Sequence, residues 1–87
     1  MSPVVPSMAP ATEAQIRAFL LAREEVAQLY SLITIQLGLD AMVAVKARMR
    51  VVATPDELIA DINRVEAALK AAFPQVRWSF FEPDNAD

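Results

Sequence analysis

The side chains with chemistry to offer gather at the carboxyl end, where "VRWSFFEPDNAD" sets Glu82, Asp84 and Asp87 directly after a cluster of aromatics. Their carboxylates can supply oxygens to a divalent cation, but such an ion takes about four or more ligands, so a second copy of the chain would have to complete the shell. In a lone chain the stronger reading is a solvated strand end, because the sequence has neither histidine nor cysteine to anchor a zinc-type site beside the acids. Asp40 reads as a turn residue bonding nearby amides, and Glu24 and Glu25 as the solvated surface of a helix. Lys46, Arg48, Arg50 and Arg77 form a basic counterpart, placed by alternation on one face of a sheet.

The basic set has two readings. As an anion or RNA surface it would use Phe81 as a stacking platform beside Arg77. The net charge of -3 and the lack of aromatics at central sheet positions weigh against that. The stronger reading is a stripe that meets the acids of a second subunit, or a solvated face whose long stems cover the sheet. Enzyme chemistry has little to stand on. With no imidazole, no thiol and one glycine in the chain, there is no base for Ser31 or Ser79 and no phosphate-cradling loop.

The elements that must hold these residues follow from pattern. At 87 residues, 55% hydrophobic and 22% charged, the chain fits one small domain that a partner subunit would help to stabilise. No disulfide can reinforce it, and nothing points to an oxidising compartment. "LITIQLGLDAMVAV" is interrupted by polar residues well short of the roughly 18–20 apolar residues of a membrane span, so the expectation is a soluble chain. Residues 1–11, with three prolines and no charged side chain, predict a flexible arm, and residues 12–87 the domain.

Thr12 and Gln15 have capping-box spacing and predict a helix from there to about Ala27. "YSLITIQLG" alternates as a strand, with Ser31, Ile33, Ile35 and Leu37 on one side and Tyr30, Leu32, Thr34 and Gln36 on the other. Gly38 marks a hairpin turn. A second strand carries Val43, Val45, Ala47, Met49 and Val51 on one face and Ala44 with the basic residues on the other, with Met42 and Met49 as sheet filling. Thr54, Pro55 and Glu57 predict a capped second helix with a stripe of Leu58, Ile62, Val65 and Leu69, while Asp56, Asp61, Arg64 and Glu66 turn to water. Pro74 stops it, and "QVRWSFFE" is the last strand. Its Val76, Trp78 and Phe80 are expected under the helices and Phe81 on the open side. The order is αββαβ, an α+β sheet with both helices on one face and the last two strands parallel, with room for one more strand between them.

From Val26 to Asp84 the chain resembles the cytoplasmic C-terminal domain of cation diffusion facilitator metal transporters. "LITIQLGLDAMVAVKARM" is similar to that family's strand, Gly-x-Asp hairpin and strand. "DINRVEAALKAAFPQVRW" is similar to its second helix, Phe-Pro stop and last strand, and "FFEPD" to its acid-plus-proline ending. The resemblance implies a metallochaperone-like, ferredoxin-like αββαβ fold. It also implies a non-catalytic homodimeric regulatory module, cytoplasmic, lying below a membrane metal transporter and binding a divalent, zinc-like cation. The family's histidines are absent: Phe80 stands at the first, Ile59 at about the helical one, and Glu82 keeps the acid's place, so Glu82 and Asp84 remain as metal contacts. A carboxylate-only site should be weaker and harder in character. With no apolar spans in the chain, it reads as an excised domain or a free-standing relative, and the Met start with its Pro-rich arm favours the latter. The alternative is a dimerisation or protein-interaction domain that has lost metal binding together with its histidines.

Overall fold

The computed structural model describes residues 6–84. Five elements follow in order: α1 (Pro10–Leu21), β1 (Val26–Leu37), β2 (Asp40–Met49), α2 (Pro55–Ala72) and β3 (Val76–Pro83). β2 is the central strand, antiparallel to β1 and parallel to β3, with no further strand between β2 and β3. Ala41, Val43, Val45, Ala47 and Met49 of β2 are all buried, as their alternation requires, beneath Ile16 and Leu20 of α1 and Val65 and Leu69 of α2. Both helices therefore lie on one face. Phe19 and Phe73 join them edge to face with ring centres 5.7 Å apart.

α2 starts as the sequence predicts. The Glu57 amide donates to Thr54 Oγ1 at 3.2 Å, and the Glu57 carboxylate accepts from the Thr54 amide at 3.3 Å and the Ala53 amide at 2.8 Å. The start of α1 differs. It begins at Pro10 after Ala9 with no side-chain cap, and the Thr12–Gln15 box is not made. Glu13 is used elsewhere: its Oε2 accepts the Thr34 hydroxyl at 2.6 Å, and Thr34 Oγ1 in turn accepts the Met8 amide at 3.1 Å. Met8 is buried, and the Gln36 amide donates to the Pro6 carbonyl at 2.8 Å, so the described part of the expected arm is packed along β1. Its residues 1–5 lie outside the described residues.

α1 also ends at Leu21, not near Ala27, because Val26 and Leu29 are needed in β1 opposite Met49 and Ala47. From Ser31 onward β1 alternates as expected, but its richer apolar side is turned away from the helices. Leu32 and Thr34 are buried, and Ile33 is 57% exposed. At the hairpin, Gly38 takes φ 65°, and Gln36 Nε2 bridges the carbonyls of Gly38 (2.7 Å) and Asp40 (3.2 Å). β2 stops at Met49, so Val51 is outside the sheet and fully exposed.

β3 carries the largest departure. Val76 lies opposite Ala41, but Trp78, not Arg77, lies opposite Met42. One extra residue in β3 flips every side chain after it. Ser79 and Phe81 turn to the core, Ser79 donating to Glu66 Oε2 at 3.0 Å, while Trp78 (43% exposed) and Phe80 (58%) turn to the open face. The expected assignment of Trp78 and Phe80 to the core, and of Phe81 to the surface, is thus reversed.

A buried charge cluster seats α2 where sequence reading placed solvated groups. Asp61 is 2% exposed and Glu25 fully buried. Arg50 clasps Asp61 through two bonds (2.8 and 3.0 Å), Arg64 adds a third at 2.8 Å, and Arg23 clasps Glu25 at 3.1 and 3.0 Å. Arg64 also stands 3.5 Å from Glu25, and Arg50 3.7 Å from Glu24. The cluster ties the α1–β1 turn and the end of β2 to α2, and no buried side-chain polar atom among the described residues lacks a partner.

Hydrogen bonds from Arg50, with Arg64 beside it, hold the Asp61 carboxyl below its usual range against the effect of burial. Burial pushes Glu25 upward, but Arg23, a hydrogen bond from its own backbone amide and Arg64 together outweigh it, and the net shift is again downward. A carboxyl lowered in the folded state stabilises the fold fully above its unfolded value of about 4 and loses that contribution as pH falls toward the folded value. Thermal unfolding followed against pH should therefore show Tm falling steeply below about pH 4, with a shallower fall in Asp61→Asn. The β3 register makes a second prediction. Phe81→Ala should destabilise the fold by about 2 kcal/mol or more in urea melts, and Phe80→Ala should leave a dilute, dissociated chain within about 0.5 kcal/mol of the parent.

Candidate functional site

The face of the sheet without helices is built in rows, each crossing all three strands. Ile35, Met42 and Trp78 make one row, Ile33, Ala44 and Phe80 the next, and Ser31, Lys46 and Glu82 a third. The first two rows form a continuous apolar surface of side chains that are half-buried or exposed. A shallow depression follows the second and third rows, lined by Ser31, Ile33, Ala44, Lys46, Phe80 and Glu82. Its apolar floor thus ends at a charged rim.

That rim holds the sequence-predicted metal contacts. Glu82 is exposed and lies directly opposite Lys46 in the parallel pairing. Asp84 continues the ladder by donating its amide to the Ala47 carbonyl at 2.8 Å, and its Oδ2 lies 3.3 Å from Lys46 Nζ. Lys46 is thus paired with Asp84 by charge and with Glu82 by strand register. Among the described residues no three of Asp, Glu, His or Cys gather as a metal cluster, so two carboxylates are what one chain offers here. Asp87 lies outside the described residues. Ile59, at about the helical histidine's place, is exposed on α2, across the sheet from Phe80.

The basic stripe is dispersed. Arg50 lies past the end of β2, drawn to Asp61 and Glu24. Arg77 sits at the register slip, its guanidinium 3.7 Å from Asp40 and 6.0 Å from the Trp78 ring centre. Of the four, Arg50 is drawn off the open face, while Lys46 is engaged by Asp84 and Arg77 by Asp40. A face that tracks phosphates needs a row of free cations, and three of these four already have a carboxylate partner.

Sequence reasoning missed the acids that matter to the fold. Asp61, Val65 and Leu69 recur every four residues, so Asp61 was in phase with the buried stripe of α2 and carried a signal of its own. Glu25 gave no such sign, since it sits in the turn after α1.

Among the described residues no helix is long and apolar enough to cross a membrane. No family model matches the sequence, and no curated protein does. Solved structures do match. A zinc-form structure of CzrB, called a putative zinc transporter, superposes with a TM-score of 0.74 at 24% identity, covering 93% of this chain and 94% of that one. Two variants of the MamM CTD in zinc forms give TM-scores of 0.76 and 0.71 at 13% and 10% identity; each covers 88% of this chain, and the matches span 85% and 89% of those chains. The order of elements, the mixed sheet with β2 at its centre and the helices on one face are thus shared with these solved structures, and an αββαβ, ferredoxin-like fold is the fold of this chain.

Proposed function

We propose that the chain is a non-catalytic, cytoplasmic regulatory domain of a divalent metal cation efflux transporter, working as a homodimer and responding to metal at Glu82 and Asp84. The open sheet face carries this reading. Two apolar rows beside a rim of opposite charges, on a fold shared with domains solved in zinc forms, suit a surface that pairs with itself and brings two acidic ends together. Each end contributes two carboxylates, so two copies supply four, enough oxygens to begin a coordination shell. Without imidazole or thiolate the site binds more weakly and discriminates less in favour of zinc than the nitrogen and sulfur sites of structural zinc domains.

One observation favours a second reading, a dimerisation domain that takes no metal: the Lys46 ammonium already pairs with Asp84, one of the two acids at the rim. Titration calorimetry with zinc, cadmium and manganese separates the two. The regulatory reading expects binding that raises Tm and is lost in Glu82→Ala. Absence of heat and of thermal protection with all three ions leaves the dimerisation domain.

The pairing surface has its own test. Sedimentation equilibrium should find a dimer, and Phe80→Asp or Ile33→Asp should weaken it by about 30-fold or more, as expected when a charge enters the centre of an apolar seam. Trp78 emission should shift to the blue with rising protein concentration as its exposed ring is covered. An unchanged dimer in both variants would move the seam elsewhere.

A further inference from the structure

The two edges of the sheet are blunted differently. β3 is short, kinked by the extra Arg77 and closed by Pro83. The first half of β1 is broken in a similar way, with Ala27 and Tyr30 as extra residues against β2. Its second half, "LITIQL" from Leu32 to Leu37, has no such break: it pairs residue for residue with β2 and holds no charge, no proline and no glycine. Six uncharged residues rich in isoleucine and leucine at a sheet edge are a template for another strand, and a copy of themselves matches them well. Here residues 6–9 lie along that template. The Gln36 amide donates to the Pro6 carbonyl at 2.8 Å and the Met8 amide to Thr34 Oγ1 at 3.1 Å, so the segment runs antiparallel to β1 at strand spacing. Met8 is 4% exposed between the exposed Ser7 and Ala9, and the Ala9 carbonyl accepts the Glu13 amide at 2.9 Å at the start of α1. Pro6 and Pro10 have no amide to offer, so the segment ends the sheet instead of extending it.

We infer that residues 6–9 are a detachable guard on the β1 edge, and that the edge they cover pairs with the same edge of a second copy of this chain when they lift. Among the described residues, two hydrogen bonds and one buried side chain hold the guard to β1, whereas β1 is held to β2 by a ladder along its length. One of the two bonds ends on a hydroxyl, which in turn donates to Glu13 Oε2 at 2.6 Å. The guard therefore opens before any strand of the sheet does. Lifting it uncovers the outward amide and carbonyl of Gln36 and, by alternation, those of Leu32 and Thr34. Two such edges set antiparallel satisfy one another's backbone groups and bring no like charges together, since Leu32–Leu37 carries none. This pairing would extend the sheet sideways. It is separate from the face-to-face seam of Ile33, Ala44 and Phe80 and uses neither that seam nor any metal.

Native-state hydrogen exchange of the parent chain tests the lifting. The Gln36 amide is expected to exchange through an opening about tenfold or more frequent than the one that frees the Val43 amide of β2. Exchange of both through one global opening means that the guard does not lift alone, and overturns the inference. Sedimentation and light scattering test the pairing, by comparing Met8→Ala, which removes the guard's buried anchor, with Val65→Ala, which opens a cavity under α2 and leaves the guard in place. Both are read in a Phe80→Asp background, so that the face-to-face seam does not contribute, and where circular dichroism shows the chain folded. Met8→Ala is expected to associate at a concentration about tenfold or more below that of Val65→Ala. Adding Leu37→Lys to Met8→Ala should disperse it again by placing a charge on the edge. Equal association of the Met8 and Val65 variants, or association that Leu37→Lys leaves unchanged, overturns the inference. Should Met8→Ala not fold, the exchange measurement on the parent decides alone.

Discussion

The parallel pairing of β3 with β2, and the one-residue slip within it at Arg77, is the constraint on which every functional statement depends. Before the slip, Val76 faces the helices; after it, Ser79 and Phe81 do, and Trp78, Phe80 and Glu82 face away. A regular strand would have put the tryptophan and one phenylalanine into the core and left the other phenylalanine outside. The slip instead yields two apolar rows on the open face and brings Glu82 opposite Lys46. Arg77 suits the slip because its side chain reaches Asp40 and lies over Trp78, so the extra residue does not need a place in the core. An exposed apolar face and a charged rim thus come from the same irregularity.

If the sheet sets which residues face outward, the charge cluster fixes how the helices sit. Burying Asp61 and Glu25 is unfavourable unless each carboxylate is matched, and here three arginines from three segments match them. Replacing the cluster by packed apolar side chains could stabilise the fold as well or better, so its contribution is geometric. Only one placement of α2 brings Asp61 to Arg50 while Arg64 spans Asp61 and Glu25, whereas an apolar stripe tolerates sliding by a turn. The Arg50 amide, bonded to the Glu25 carbonyl at 2.8 Å, locks the same corner through the backbone.

How far the sequence could be read follows from these two features. β2 and α2 were legible because each obeys a single period and α2 carries its own start signal in Thr54 and Glu57. The resemblance carried by the Gly-x-Asp hairpin and the Phe-Pro stop led to the right fold, because those turns fix chain direction whatever the side chains between them do. The faces of β3 were not legible, since a slip of one residue leaves no mark in a run such as "RWSFF", where either phase offers an aromatic to the core. The Thr12–Gln15 spacing misled because α1 starts at Pro10, which puts Thr12 inside the first turn and not at its cap, while Glu13 bonds Thr34, a partner 21 residues away that no local pattern reveals. Glu82 and Asp84 were found as acids, but that Lys46 would stand with them required the pairing register.

That position of Lys46 changes what an acidic ending means. Two carboxylates at a free strand end attract any cation in proportion to their charge and release it as easily, which is a poor basis for a response to concentration. With the Lys46 ammonium 3.3 Å from Asp84 Oδ2, this rim already holds a tethered positive charge against its two acids. Should two copies pair over Ile33, Ala44 and Phe80, these rims would lie at the edge of an apolar seam, where charge fixes register more than it adds affinity. Imidazole and thiolate hold zinc through individual ligand bonds; a rim of one ammonium and two carboxylates offers charge without such ligands, and its chemistry is that of opposite charges aligning the surfaces that carry them.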